Sequence, residues 1–259
     1  MKYSRVLLGV LFAIVAVSAF SQKLIEKPFN KWSREDAMNI LSQSAWAQTY
    51  FSTSAAAAAD AASALRGQAD NRLAGGERGR AERSGGPAPI VIRLHSGLPI
   101  RQALVRLNQL AAHYDKMDEI GKAKFDESAK RLIECAPCES HYVVTITKLP
   151  NPSGESVEEA IFQSMNLEQM KPNVWLKNEK GDQRELQQFI APVKRGDSAV
   201  FFFAKKGSEN VPFLTPASKD FSLVFNASFF NSNNRFASLL PRKFDFKASK
   251  LVVKDSLLF

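Results

Sequence analysis

The sequence predicts an α+β fold: an antiparallel β-sandwich, immunoglobulin-like or similar, with a helical insertion between its first two strands, preceded by an amphipathic helix and a disordered linker. Three observations point there. From Ile90 onward, about eight short β-branched or aromatic runs are separated by turn-forming residues. Helical stripes are concentrated between the first two of these runs, so the regular strand–helix alternation of a parallel sheet is missing. The 19 Phe against 4 Tyr and 3 Trp supply rings suited to filling a core. With 259 residues, 45% hydrophobic and 24% charged, the chain matches one or two globular domains and excludes wholesale disorder.

The elements follow in order. Lys2 and Arg5 precede the apolar run Val6 to Val17, and Val17-Ser18-Ala19 and Ala19-Phe20-Ser21 both offer small residues for cleavage. The run fits a secretory h-region and falls short of the roughly 20 residues that span a bilayer. Residues 1–21 are therefore expected to be a signal peptide, the alternative being an anchor that is retained. No Cys lies near the cleavage site, so no lipid anchor is expected. Contact with the membrane is expected only through this segment before cleavage.

Residues 22–66 read as an amphipathic unit. Ser33-Arg34-Glu35-Asp36 has the spacing of a capping box. Ala37, Ile40, Leu41 and Ala45 follow at helical spacing, and Trp32, Met38 and Trp46 widen the stripe, which predicts a helix from about 33 to 50. The Ala-rich stretch through Leu65 can extend it to about 66. Trp32 and Trp46 on one short helix are the candidate partner-docking residues. Residues 67–89, rich in Gly, Arg, Glu, Ala and Pro, lack apolar anchors and read as a flexible linker.

Residues 90–259 form the expected β-rich globular domain. Ile90 to Leu94 is a strand, and Pro99 opens a helix with the stripe Ile100, Ala103, Leu104, Leu107, Leu110, Ala111 and Tyr114. A second helix carries Phe125, Ala129, Leu132 and Ile133, also read as a core face. Strands are expected at His141 to Lys148, Val174 to Lys177, Glu185 to Ala191, Ser198 to Ala204, Phe221 to Phe225, Phe244 to Phe246 and Leu251 to Lys254, with a further helix over Ser156 to Met165. Glu179-Lys180-Gly181-Asp182 reads as a hairpin loop with Gly at the turn.

Several blocks resemble a recurrent pattern in a group of uncharacterised secreted bacterial proteins. They are Trp32-Ser33-Arg34-Glu35-Asp36-Ala37 with Ile40-Leu41 and Ser44-Ala45-Trp46-Ala47, then Tyr142-Val143-Val144, Val174 through Gly181, and Phe244-Asp245-Phe246-Lys247. The likeness is patchy, and Pro is common in the group where Ala45 stands here. The resemblance implies an exported protein and supplies no activity.

Cys135-Ala136-Pro137-Cys138 is the sharpest local feature. Export to an oxidising compartment favours a disulfide, and residues three apart in a helical turn are close enough to bridge. A redox-active pair is the functional alternative, but the motif closes a helix, where the dipole raises a thiol's pKa and Glu134 and Glu139 add to the effect. His141 with the two cysteines is a third, metal-binding reading without an evident fourth ligand. His95-Ser96 and His113-Tyr114-Asp115 lack the Gly-x-Ser-x-Gly elbow of a hydrolase, and no phosphate-binding loop is present. No catalytic residue, metal ligand or cofactor is assigned.

The formal charge is +9, and losing Lys2 and Arg5 with the leader leaves the protein basic. Lys194-Arg195, Lys205-Lys206 and Arg242-Lys243 read as solvated strand ends and loops. A basic exported protein is drawn to acidic partners and polymers, and export argues against nucleic acid. The expectation is a secreted or periplasmic, non-enzymatic binding or scaffolding module of the cell envelope. Its partner would be an envelope protein or an anionic envelope polymer. A secreted thiol-redox or hydrolytic enzyme is the alternative.

Overall fold

The computed structural model describes residues 24–50, 90–148, 160–194, 196–207, 209–232, 240–253 and 256–259. The expected signal peptide, the Ala-rich extension over 51–66 and the linker over 67–89 lie outside the described residues.

The first helix, α1 (Arg34–Ser42), begins as its sequence dictates. Ser33 Oγ accepts from Asp36 N–H and the Asp36 carboxylate accepts from Ser33 N–H, a reciprocal capping box. Ala37, Ile40 and Leu41 are its buried face. The helix stops at Ser42, short of the expected 50. Ser42 and Ser44 hydroxyls donate back to the carbonyls of Met38 and Ile40 at 2.8 and 2.7 Å, satisfying groups that would otherwise propagate the helix. After a turn the chain enters strand β1 (Ala47–Tyr50), which pairs antiparallel with β2 (Ile90–Leu94), Ala47 opposite Arg93 and Tyr50 opposite Ile90.

Pro99 sits in the first turn of α2 (Leu98–Ala111), where its missing N–H costs nothing. Asp118 caps α3 (Glu119–Glu134) by accepting from Gly121 N–H at 2.7 Å. No residue of α3 is fully buried, so the expected core face of Phe125, Ala129, Leu132 and Ile133 is only half-covered. The short turn α4 (Pro137–Ser140) leads into β3 (His141–Lys148). Then come α5 (Ala160–Gln163), α6 (Leu167–Met170), β4 (Val174–Asn178), β5 (Gln183–Ile190), β6 (Ala199–Ala204), β7 (Asp220–Phe225), α7 (Ala227–Ser232), β8 (Lys243–Lys247) and the small pair β9 (Val252–Val253) and β10 (Ser256–Leu257). In the β4–β5 turn, Asn178 Oδ1 accepts from Lys180 and Asp182 N–H while Gly181 takes φ +90°, as the expected hairpin requires.

The fold is α+β, built on one antiparallel sheet of eight strands in the order β1-β2-β3-β6-β5-β4-β7-β8. The strands hydrogen-bond in one curled sheet instead of dividing into the two facing layers of the expected sandwich. The curl brings the edge strands within reach of each other. Gln48 Nε2 on β1 donates to the Asp245 carbonyl on β8, and the Tyr50 and Phe244 rings meet edge to face at 5.9 Å. Helices α2 and α3 lie between β2 and β3, the second and third strands, because β1 precedes them.

Period-two alternation sends Ile92 and Leu94, Tyr142, Val144 and Ile146, Phe201 and Phe203, Leu223 and Phe225, and Phe244 and Phe246 into one core. Trp32, Ile40, Leu41 and Trp46 belong to that same core. Residues 24–50 are thus not an appended unit: they supply a sheet edge and part of the interior shared with residues 90–259. Among the described residues, no helix is long and apolar enough to cross a membrane.

Candidate functional site

Among the described residues, grooves on two faces of the sheet carry polar and charged side chains that could act on another molecule. The larger forms where β6 ends beside the start of β3. Lys205 N–H donates to the Ser140 carbonyl at 2.9 Å, joining the turn before β3 to the residue after β6. The chain then folds back. Gly207 N–H bonds to the Val211 carbonyl and Phe213 N–H to the Lys205 carbonyl, with Asn210 in the left-handed region at φ +60°. Arg184 on β5 holds this hairpin, its guanidinium 5.1 Å from the Phe213 ring centroid and donating to the Val211 carbonyl.

Beneath the hairpin lies Tyr142. Its ring packs on Phe259 at 4.8 Å and Phe213 at 6.1 Å, and its hydroxyl accepts from Leu214 N–H. Burial pushes the phenol up to about 12, against the pull of that N–H and of Arg184, so it stays neutral. The Lys205 ammonium stands 5.5 Å from the Tyr142 ring centroid, a cation–π contact. Burial, then repulsion from Arg101, lowers its pKa. Tyr142, Leu214, Leu257 and Phe259 give an apolar lining, and Glu139, Ser140, His141, Gln187, Lys205 and Lys206 give a polar one, around about 600 Å³. That volume is within the range of ligand sites, roughly 300–1,000 Å³.

This groove shares Gln187, Ala204 and Lys206 with a neighbouring cleft of about 380 Å³ that adds Lys171, Arg184 and Glu185. Four cations therefore line the combined surface against the carboxylates Glu139 and Glu185. Among the described residues, Lys171, Lys205 and Lys206 form no ion pair. Within the groove, Ser140 Oγ lies 2.8 Å from His141 Nδ1, and His141 Nε2 lies 2.9 Å from Gln187 Oε1. This hydroxyl–imidazole–amide chain lacks the carboxylate that would stabilise an imidazolium in a serine hydrolase.

The second groove, about 330 Å³, lies on the other face of β3, because Val143 and Thr145 alternate with Tyr142 and Val144. Arg93, His95, Leu104, Val200, Phe202, Ser198, Cys135 and Pro137 complete its lining. Cys135 and Cys138 are joined by a disulfide with Cα atoms 5.3 Å apart, so they cannot serve as thiolate metal ligands alongside His141. Cys135 ends α3 at φ +48° and is half-buried. Cys138 is 5% exposed and packs with Val143 and Phe202. Burial, then the charges of Arg101 and Arg93, lowers the His95 pKa to about 4, which leaves the ring neutral near pH 7.

Trp32 and Trp46 flank α1 instead of sharing its face, and both are buried in the chain's own core, 1% and 0% exposed. Trp32 Nε1–H donates to the carbonyls of Leu24 and Lys27, and Trp46 Nε1–H to that of Leu258, each pair within 3.0 Å. In this arrangement their docking is intramolecular. His95 and Asp115 do not form a triad: Asp115 lies in the exposed turn Tyr114–Lys116, and among the described residues no histidine has a carboxylate partner.

Sequence reasoning missed Tyr142, Lys205, Leu214 and Phe259 as one constellation, since they come from separate segments. The local signal was Lys205-Lys206 just after the apolar Val200-Phe201-Phe202-Phe203-Ala204. Comparison with protein-family models, with curated proteins and with solved structures finds no match to the chain.

Proposed function

We propose that this is an exported binding module of the cell envelope, and that the groove over Tyr142 takes an anionic envelope polymer. The observation that carries this reading is the set of lysines that form no ion pair among the described residues, Lys171, Lys205 and Lys206, around an open apolar-lined groove. Regularly spaced carboxylates or phosphates would meet the ammonium groups. The nonpolar faces of the repeating units would cover Leu214 and Leu257. The leader-like segment over residues 1–21 and the net positive charge support export and attraction to such a polymer.

Lys171 and Lys206 are exposed and Lys205 half-buried, so their attraction for an anion is largely screened and affinity should fall steeply as salt rises. The test is titration of the purified protein with labelled polygalacturonate, with neutral dextran as control. Binding that fails at high salt and drops at least about tenfold, or about 1.4 kcal/mol, in Lys205→Glu/Lys206→Glu supports the reading. No binding, or binding indifferent to that charge reversal, sinks it.

A further inference from the structure

We propose that the Cys135–Cys138 pair is a thiol–disulfide exchange site, and that the groove beside it seats a cysteine-bearing segment of a substrate protein. This inference concerns a different groove and stands independently of the anion-binding reading.

The two sulfurs are differently placed. Cys135 is half-buried and lines the groove with Pro137, whereas Cys138 is 5% exposed, packed under Val143 and Phe202. Such a pair has one sulfur open to attack and one shielded to resolve it.

The charges around Cys135 offset the helix end it sits on. The carbonyl end of α3 disfavours a thiolate, and Glu134 and Glu139 flank the pair. Glu134 is engaged by Lys130 at 3.6 Å. Against them, Arg101 on α2 donates to the Ile133 carbonyl at that same helix end, and Arg93 on β2 lines the groove. Burial lowers the pKa of both guanidiniums, yet Arg stays charged in a protein. Arg101 Nε is buried with no hydrogen-bond partner among the described residues. His95, neutral near pH 7, adds no charge, and the proton of an incoming thiol goes to solvent. Val143, Val200, Phe202 and Leu104 offer apolar contact for residues flanking a substrate cysteine, and Thr145 and Ser198 add hydroxyls.

In the oxidised state the exchange runs as follows. A substrate thiol gives up its proton and its thiolate attacks Cys135 Sγ. The Cys135–Cys138 bond breaks, the electron pair leaves on Cys138 Sγ, and that thiolate takes a proton. A second substrate thiolate then attacks the mixed disulfide and releases Cys135. The substrate gains a disulfide and loses two electrons and two protons, which the pair gains. Reaction of the reduced pair with another substrate disulfide restores it by the same steps in reverse.

The test uses the full chain. Thiolate absorbance of the reduced Cys138→Ser variant, followed against pH, reports Cys135. Turbidity from insulin reduction by dithiothreitol reports exchange. A Cys135 pKa below 7 that rises in Arg93→Gln, with insulin reduction abolished in Cys135→Ser, is expected. A Cys135 thiol titrating near or above 8.5, the free-thiol value, overturns the proposal. So does insulin reduction no faster than with dithiothreitol alone, or a pair that stays oxidised in reduced glutathione.

Discussion

Trp46 and Leu258, 212 residues apart in sequence, are tied by a 2.9 Å hydrogen bond from the indole Nε1–H to the backbone carbonyl. The bond fastens the segment after β10 to the turn before β1. Gly97 lies against both partners, since a Cβ there would collide with Trp46 Cδ1 and sit 2.9 Å from the Leu94 carbonyl and 3.1 Å from that of Leu258. Two of those neighbours are backbone, which cannot yield as a flexible side chain does.

Gly97→Ala should therefore destabilise the protein by about 3 kcal/mol, the upper part of the overpacking range. Urea unfolding followed by Trp fluorescence measures it. A loss below about 0.5 kcal/mol would mean that the Trp46 junction repacks freely.

Removing residues 1–89 should abolish cooperative unfolding of the remainder. The cut strips β1 from β2 and takes Trp32, Ile40, Leu41 and Trp46 out of the core. A sharp calorimetric transition in the 90–259 fragment would refute the shared core.

His95 should make stability fall as the solution is acidified. Unfolded, it takes a proton near the ordinary imidazole value of 6.5; folded, only near 4. Between those values the unfolded state binds more protons, so stability rises with pH across the window and is lost as pH falls through it. The contribution is up to about 3 kcal/mol. Comparing wild type with His95→Gln by denaturant titration at pH 4.5 and 7 isolates it, and identical pH slopes would count against burial of the neutral ring.

Phe259 contacts Tyr142 at 4.8 Å and Phe221 at 5.3 Å, bridging the floor of the larger groove to β7. Phe259→Ala should cost about 3–5 kcal/mol and weaken polygalacturonate binding as the Tyr142 wall loosens. Unchanged thermal stability would show that the ring is not held there.

Where periodicity decides a structure, the sequence was readable. The alternation at Phe221, Leu223 and Phe225 and the all-apolar Val200 to Phe203 marked β7 and β6, and the Ser33 capping box marked the start of α1. Its end was misread because Ala45 and Trp46 continue a helical spacing, while the partner that makes Ala47–Tyr50 a strand is Ile90–Leu94, far along the chain. The number of sheet layers was hidden for the same kind of reason: pairings such as β4 with β7 leave no local trace. Of the candidate sites, Cys135 and Cys138 were visible because their spacing is itself the geometry. Lys205 was seen only as a surface charge, because what makes it a groove residue is Tyr142 below it and Phe259 beside it.

The contact between the first and last strands of the large sheet has a consequence for how the molecule is born. Gln48 is synthesised long before Asp245, and Trp46 long before Leu258, so the early segment waits with its partners still on the ribosome. Such high contact order slows folding. The unfinished sheet therefore exposes apolar surface until its last strand arrives.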